Sequence, residues 1–274
     1  MTLEDFCQAH GIIINGLPPI GIWKRYGTED HPRSKNGAVK YMGTYAHVQN
    51  HATMLEPVTW QSESKEKIDP MKLARIVRAQ DDQTQELQTK AAAKAAWIVN
   101  QCQFAKHEYL TAKGFPEEQG LVWLHEGIKR LVIPMRVSNR IVGCQLIGID
   151  GGKKFLYGQR SADAAMIIDN KGLNILCEGY ATALSIKYAL QNMKRRYTIH
   201  VCFSAGNMVK IAKSLESGFV VADNDESKTG ERVALQIGWP YWMSDVTSED
   251  ANDAHQRLGL FRFSQSLIKS MNVK

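Results

Sequence analysis

Several things are scarce or missing in this 274-residue chain, and each absence closes off a class of function. The five cysteines (Cys7, Cys102, Cys144, Cys177, Cys202) are odd in number and widely spaced, with no C-x-x-C pair. That pattern offers neither a disulfide framework nor the start of a zinc site, so reduced, mostly buried thiols and no zinc are expected. No apolar run approaches the roughly 18 residues a membrane helix needs, and MTLEDFCQAH lacks the basic-then-apolar order of a signal peptide. A cytoplasmic protein with no membrane partner is the expectation. The phosphate-gripping G-x-x-x-x-G-K-[ST] loop is missing, as are G-x-S-x-G, H-E-x-x-H and G-x-G-x-x-G. Negative charge is the scarcer sign: 28 Asp and Glu stand against 34 Lys and Arg, a formal +6. The excess favours a polyanionic partner, because cations that neutralise phosphates release condensed counterions.

What is present falls into five stretches. Residues 1–62 hold turn formers and short β-prone runs and read as a small, mainly β module. Basic and aromatic side chains alternate there: Trp23, Lys24, Arg25, Tyr26, Arg33, Lys35, Lys40, Tyr41 and Tyr45. The mixture suits either a solvated basic hairpin or a surface that tracks phosphates while stacking bases. Of its histidines only His47 and His51 share a plausible local spacing, and without carboxylate or thiolate partners they do not make a metal site. Residues 63–106 read as a helical connector, with Asp69 as cap, Pro70 in the first turn and an apolar stripe through Leu73, Ile76, Val77, Ala91, Ala95, Ile98 and Val99. Helical character is expected to continue to about His107.

Residues 107–170 contain a short helix stopped at Gly114 and Pro116, then strand, turn (Ser138-Asn139) and strand. Seven basic residues lie between Lys129 and Arg160, among them Arg136, Arg140, Lys153, Lys154 and Arg160, against the single acidic Asp150. They form either a solvated face or a groove for a nucleic-acid backbone or a nucleoside triphosphate. Residues 171–258 alternate strands with helical patterns of about ten residues, the mark of βαβ units on a mainly parallel sheet. Residues 259–274 read as a terminal helix.

In NILCEGYATALSIKYAL, Glu178 ends an apolar strand and is followed by Gly179, expected to turn the chain into the next helix. In FVVADND, Asp223 and Asp225 end another, where i and i+2 share a side. Carboxylates at strand ends sit on the rim where open α/β sheets bind ligands. Two facing one point suit a hard divalent cation completed by water and phosphate oxygens. Glu249, Asp250 and Asp253 are a further acidic set. An EF-hand is rejected, because Lys228 and Ala234 stand where its loop needs glycine and glutamate.

Glu-Gly-Tyr-Ala-Thr-Ala at 178–183, the Asp223-x-Asp225 strand end and SEDANDAH beyond it resemble the TOPRIM domain of DnaG-type primases, topoisomerases and some nucleases. The EGYATA wording is similar to primases of satellite phages and conjugative plasmids. HEYLTAKGF, LVIPMR and GGKKFLYG resemble the part of those primases that precedes TOPRIM. The resemblance covers about residues 107–258. It implies an α/β chain in which a TOPRIM domain, a parallel sheet with helices on both faces, joins an α+β primase-core subdomain.

It further implies a DNA primase that makes short RNA primers on a single-stranded DNA template from ribonucleoside triphosphates, using Mg²⁺ or Mn²⁺. Glu178 would be the catalytic carboxylate, with Asp223, Asp225, Asp250 and Asp253 at the metal. Arg136, Lys153, Lys154 and Arg160 would contact nucleotide or template, and a separate replicative helicase would open the duplex. Outside the resemblance, the basic and aromatic interleaving makes Trp23, Lys24, Arg25, Tyr26 and Arg33 the expected nucleic-acid surface of the N-terminal module. Thr182 stands where DnaG-type primases often carry an aspartate, and the zinc ribbon of that family has no counterpart here. A TOPRIM nuclease and a non-catalytic accessory protein that binds single-stranded DNA are the alternatives. A topoisomerase would need a gate domain for which too little chain remains.

Overall fold

Each strand–helix alternation of the sequence has a counterpart in the computed structural model, which describes residues 1–54, 56–63 and 69–272. The chain divides into two compact units, Met1–Glu86 and Leu87–Lys274, with the division inside a long helix.

In the first unit, α1 (Leu3–Ala9) opens on a capping box, Thr2 accepting from Asp5 N while Asp5 accepts from Thr2 N. Four antiparallel strands follow in spatial order: β1 (Trp23–Tyr26), β2 (Gly37–Tyr41), β3 (Tyr45–Asn50) and β4 (Val58–Gln61). Alternation sorts their side chains. Tyr26, Val39, Tyr41, Ala46, Val48, Val58 and Trp60 pack with Leu3, Phe6, Cys7 and Ile12 into one core. The module expected to be mainly β thus carries a helix that closes one face of its sheet. Then α2 (Pro70–Gln101) begins with Asp69 Oδ1 accepting from Met71 N at 2.9 Å. Residues 64–68, on which the start of the expected connector falls, lie outside the described residues.

The helix ends at Gln101, earlier than its periodicity implies: Cys102 N turns back to Val99 O, and β5 (Gln103–Ala105) pairs with the next strand. In the second unit α3 (Glu108–Ala112) follows. Then come β6 (Gly120–His125), β7 (Ile128–Val137), β8 (Arg140–Ile147) and β9 (Lys153–Phe155), which with β5 make an antiparallel sheet in sequence order. Ser138 and Asn139 both have positive φ (45° and 67°), the two-residue turn that matches strand twist. One face, through Trp123, Val132, Cys144 and Leu146, packs on Ala95 and Ile98 of α2. The other, through Val122, Leu131, Ile133 and Ile147, joins the main core.

The remaining elements are β10 (Met166–Asp169), β11 (Leu173–Cys177), α4 (Tyr180–Asn192), β12 (Tyr197–Val201), α5 (Ala205–Ala212), β13 (Phe219–Ala222), α6 (Thr229–Ile237), β14 (Tyr241–Met243) and α7 (Ala251–Met271). The sheet order is β10-β12-β11-β13-β14, parallel except for the antiparallel edge strand β10. Ile175, Ile199, Phe219, Val221 and Trp242 meet α4 and α7 on one face. Leu176, Val220 and Ala222 are buried on the other, where α5 and α6 pack together. Strands covered on both sides need near-continuous apolar runs, which explains NILC and FVVA. The second unit is therefore mixed α/β, and α7 bends at Gly259 (φ 76°) where the last helix was expected to begin. No described helix is long and apolar enough to cross a membrane.

Candidate active site

Strands β11 and β13 are parallel neighbours, Ile175 opposite Phe219 and Leu176 opposite Val220, so both deliver their C-terminal ends to one edge. Glu178 and Asp223 leave the sheet there side by side. Gly179 N-caps α4 at φ −108°, a conformation open to any residue, and an added Cβ would meet nothing closer than Thr182 Oγ1 at 3.8 Å. The turn therefore does not use the backbone freedom expected of this glycine. Gly230 is where glycine matters: a Cβ there would lie 2.1 Å from Asp223 O, so only a bare backbone lets α6 start this close to the end of β13.

The two carboxyls repel one another. Burial raises the pKa of Glu178, Asp225 adds to the rise, and the Lys153 ammonium and the Ala205 N–H counter it. Asp223 is pushed up to about 7 by burial and by the charges of Glu178, Asp250 and Asp225, with Lys153 opposing. Among the described residues its Oδ1 is buried without a hydrogen-bond partner. A buried, partnerless carboxylate oxygen among like charges is what a cation would satisfy, so the donor set fits a hard divalent ion. Among the described residues no three His, Cys, Asp or Glu side chains converge as a finished cage. An ion held by one or two carboxylates plus water and phosphate oxygens does not need one.

Backbone bridges bring the third acidic segment to this edge. Asn224 N donates to Glu249 O at 3.1 Å, and Ser248 N donates to Asn224 O at 2.6 Å, which sets Asp250 beside Asp223. Asp250 Oδ1 caps α7 through Asn252 N and Asp253 N. Asp253 returns the bond to Asp250 N and lies 3.7 Å from Lys113 Nζ. Glu249 is occupied elsewhere, gripped by Arg257 at 2.6 Å and by Ser244 Oγ at 2.6 Å. Asp225 Oδ1 accepts from Ser227 Oγ at 2.6 Å and Thr229 N at 3.0 Å, so the turn into α6 fixes it.

The basic residues separate on inspection. Lys153, on β9 of the antiparallel sheet, is near enough to act on both Glu178 and Asp223. Lys154 is its neighbour on the strand and points to the opposite face. Arg136 donates to Asn139 O at 3.0 Å at the hairpin end, and Arg160 pairs with Asp163 at 2.7 Å. Beside the carboxylates a cleft of about 280 Å³ is lined by Phe155, Leu156, Gln159, Ser161, Phe203 and Ser204. Phe203 N donates to Glu178 O at 3.0 Å, so a backbone hydrogen bond joins the cleft wall to the residue that carries the carboxylate.

No family model and no curated protein sequence matches the chain. Seven chains of solved structures match. One belongs to a structure of bacteriophage T7 lagging-strand DNA polymerase interacting with primase domains of two gp4 subunits bound to an RNA/DNA hybrid and dTTP. That match has 17% identity and a TM-score of 0.43 and covers 62% of this chain and 91% of the other. Another is the primase fragment of the bacteriophage T7 primase-helicase protein, with 18% identity, a TM-score of 0.42, and 60% and 73% covered.

Sequence reasoning missed several residues that build this edge. Asn207 is buried, and its Nδ2 donates to Ala164 O and Cys202 O, both at 2.8 Å, while its Oδ1 accepts from Asp163 N at 2.8 Å. It ties the loop after β9 to the end of β12. Ser204 caps α5 by accepting from Asn207 N, and the S-x-x-N spacing was the available signal. Tyr109, whose buried hydroxyl has no hydrogen-bond partner among the described residues, is pushed up to about 12 by burial and by Asp250 and Asp253. Nothing local marks it, because its place depends on α3 meeting α7.

Proposed function

We propose that the chain is a TOPRIM-type primase that makes RNA primers on single-stranded DNA by metal-dependent nucleotidyl transfer. The observation that carries this is the partnerless Asp223 Oδ1 in a cluster of mutually repelling carboxylates with one lysine opposite. Asp223 and Asp225 would hold Mg²⁺ or Mn²⁺, with Asp250 behind them. When bound, that ion supplies neutralisation of charge developing on the α-phosphate. Glu178, whose affinity for a proton is raised by burial, would accept the proton of the attacking 3′-hydroxyl. The Ala205 N–H at the start of α5 keeps its carboxylate aimed at the rim. Lys153 would grip the triphosphate from the facing sheet, with the Phe155–Phe203 cleft alongside. Arg136, Lys154 and Arg160 are assigned to the template side, and duplex opening to a separate helicase.

The test is primer synthesis from labelled ribonucleotides on varied single-stranded templates with Mg²⁺ or Mn²⁺, wild type beside Asp223→Ala. Product from the wild type alone supports the reading. Absence of product from both, with helicase added, rejects it. Template cleavage without nucleotides would instead identify a nuclease using the same carboxylates.

A further inference from the structure

The first unit carries a surface that the carboxylate centre does not use. Strand register sets Trp23 opposite Lys40, Lys40 opposite His47 and His47 opposite Thr59, one row across all four strands. Arg25 and Tyr45 share that face by alternation. The opposite face is filled by the core beneath α1, so this row lies on the sheet's other side. Trp23 is 43% exposed. Its ring and that of His47 lie 6.3 Å apart at 29°, spanning the Lys40 position, and Tyr45 meets His47 edge-on at 5.5 Å. Sequence reasoning groups Trp23, Lys24, Arg25, Tyr26 and Arg33 together, and Arg33 lies outside the strands, between β1 and β2. Register divides them: Trp23 and Arg25 face outward with the row, whereas Tyr26 joins the core and Lys24 lies over its ring at 5.3 Å.

We propose that this face, Trp23, Tyr45 and His47 with Arg25 and Lys40, is a stacking platform for single-stranded nucleic acid. Three rings offer π-faces to unpaired bases, and two cations flank them for the phosphates. The strands place no acidic side chain on this face, and beside the rings only Ala38, Gln49, Thr59 and Gln61 complete it, so the charge is complementary to a polyanion. The strands present no exposed aliphatic side chain on this face, Ala38 being already buried at 2% exposure. A duplex hides its base faces and is not a ligand for such a surface.

The site is independent of the proposed catalysis, and its test is built to fail separately. The 274-residue protein is titrated, without divalent cation, against fluorescently labelled single-stranded DNA, RNA of the same sequence and the DNA duplex, by anisotropy. Single strands are expected to bind more tightly than duplex, with quenching of tryptophan emission. Trp23→Ala weakens single-strand binding about tenfold and removes part of the quenching. Arg25→Gln and Lys40→Gln each reduce the slope of log affinity against log salt by roughly 0.7. Lys24→Gln, on the other face, leaves both readouts unchanged. Single-strand affinity that Trp23→Ala does not alter, a preference for duplex, or no binding by wild type would each overturn the proposal. Loss of primer synthesis in Asp223→Ala with single-strand binding retained leaves it standing.

Discussion

Replacing Asp223 by asparagine should make the cation-free protein more stable at neutral pH. Its carboxyl is raised from an ordinary 3.8 to about 7, so the folded protein holds a proton that the unfolded chain has released. For a raised carboxyl the stabilising proton is fully present below the unfolded value and is lost as pH climbs through the folded one. Stability therefore falls between about pH 4 and pH 7. A gap of roughly three units at about 1.4 kcal/mol each sets a ceiling near 4 kcal/mol, and solvent screening of a part-exposed side chain reduces it to about 2–4 kcal/mol. Asp223→Asn keeps the shape and removes the charge, so urea unfolding near pH 8 should show it more stable than wild type by that amount. Near pH 4 the two should nearly coincide. Magnesium should raise the wild type at pH 8 and leave the variant little changed, because the ion supplies the missing counter-charge. A variant less stable than wild type at both pH values would refute the repulsion argument, since Asp223 would then be acting as an ordinary structural acceptor.

Glu178→Gln, nearly isosteric, should lower nucleotidyl transfer about a hundredfold or more in single-turnover kinetics while the far-UV spectrum holds and the urea midpoint does not fall, because a carboxyl raised by burial is removed. Glu118 accepts from Lys187 at 2.8 Å and from Tyr188 at 2.8 Å with its side chain mostly buried. Glu118→Ala strands that lysine and should cost about 3 kcal/mol in chemical denaturation, and Lys187→Met on the same background should recover part of it. Gly230→Ala, driven against Asp223 O, should cost roughly 1–3 kcal/mol and diminish the magnesium-induced rise in Tm more than a surface substitution such as Lys213→Ala.

The parallel sheet was legible because burial on both faces forces apolar runs, and NILC, IHV and FVVA are those runs. Strand ends mark the sheet rim, so Glu178 and Asp223 were legible too. The elements that escaped are short. In α1, seven residues are fixed by a cap and a core contact, and β10 and β14 are edge strands of four and three residues whose pairing is entirely non-local. The end of α2 was misplaced because propensity alone does not register the competing ladder with β6. At the candidate site, spacing located the carboxylates but not the contacts around them. Neither the bond from Asn224 to Glu249 nor the three-way grip of Asn207 joins sequence neighbours, and Lys153 and Lys154 look equivalent until the pleat separates them.

Because β11, β12 and β13 all run toward the carboxylate edge, the turns that enter β12 and β13 emerge at the far rim of the same sheet. Lys194, left-handed at φ 53°, and the exposed Ser214 and Glu216 occupy those turns. They form a permissive border of the molecule, where a fluorophore, affinity handle or inserted peptide would sit a full strand length from the chemistry and report on it without intruding. Gly172 and Gly218 bound that freedom: a Cβ on either would collide with backbone, at Arg196 and Asn174 respectively.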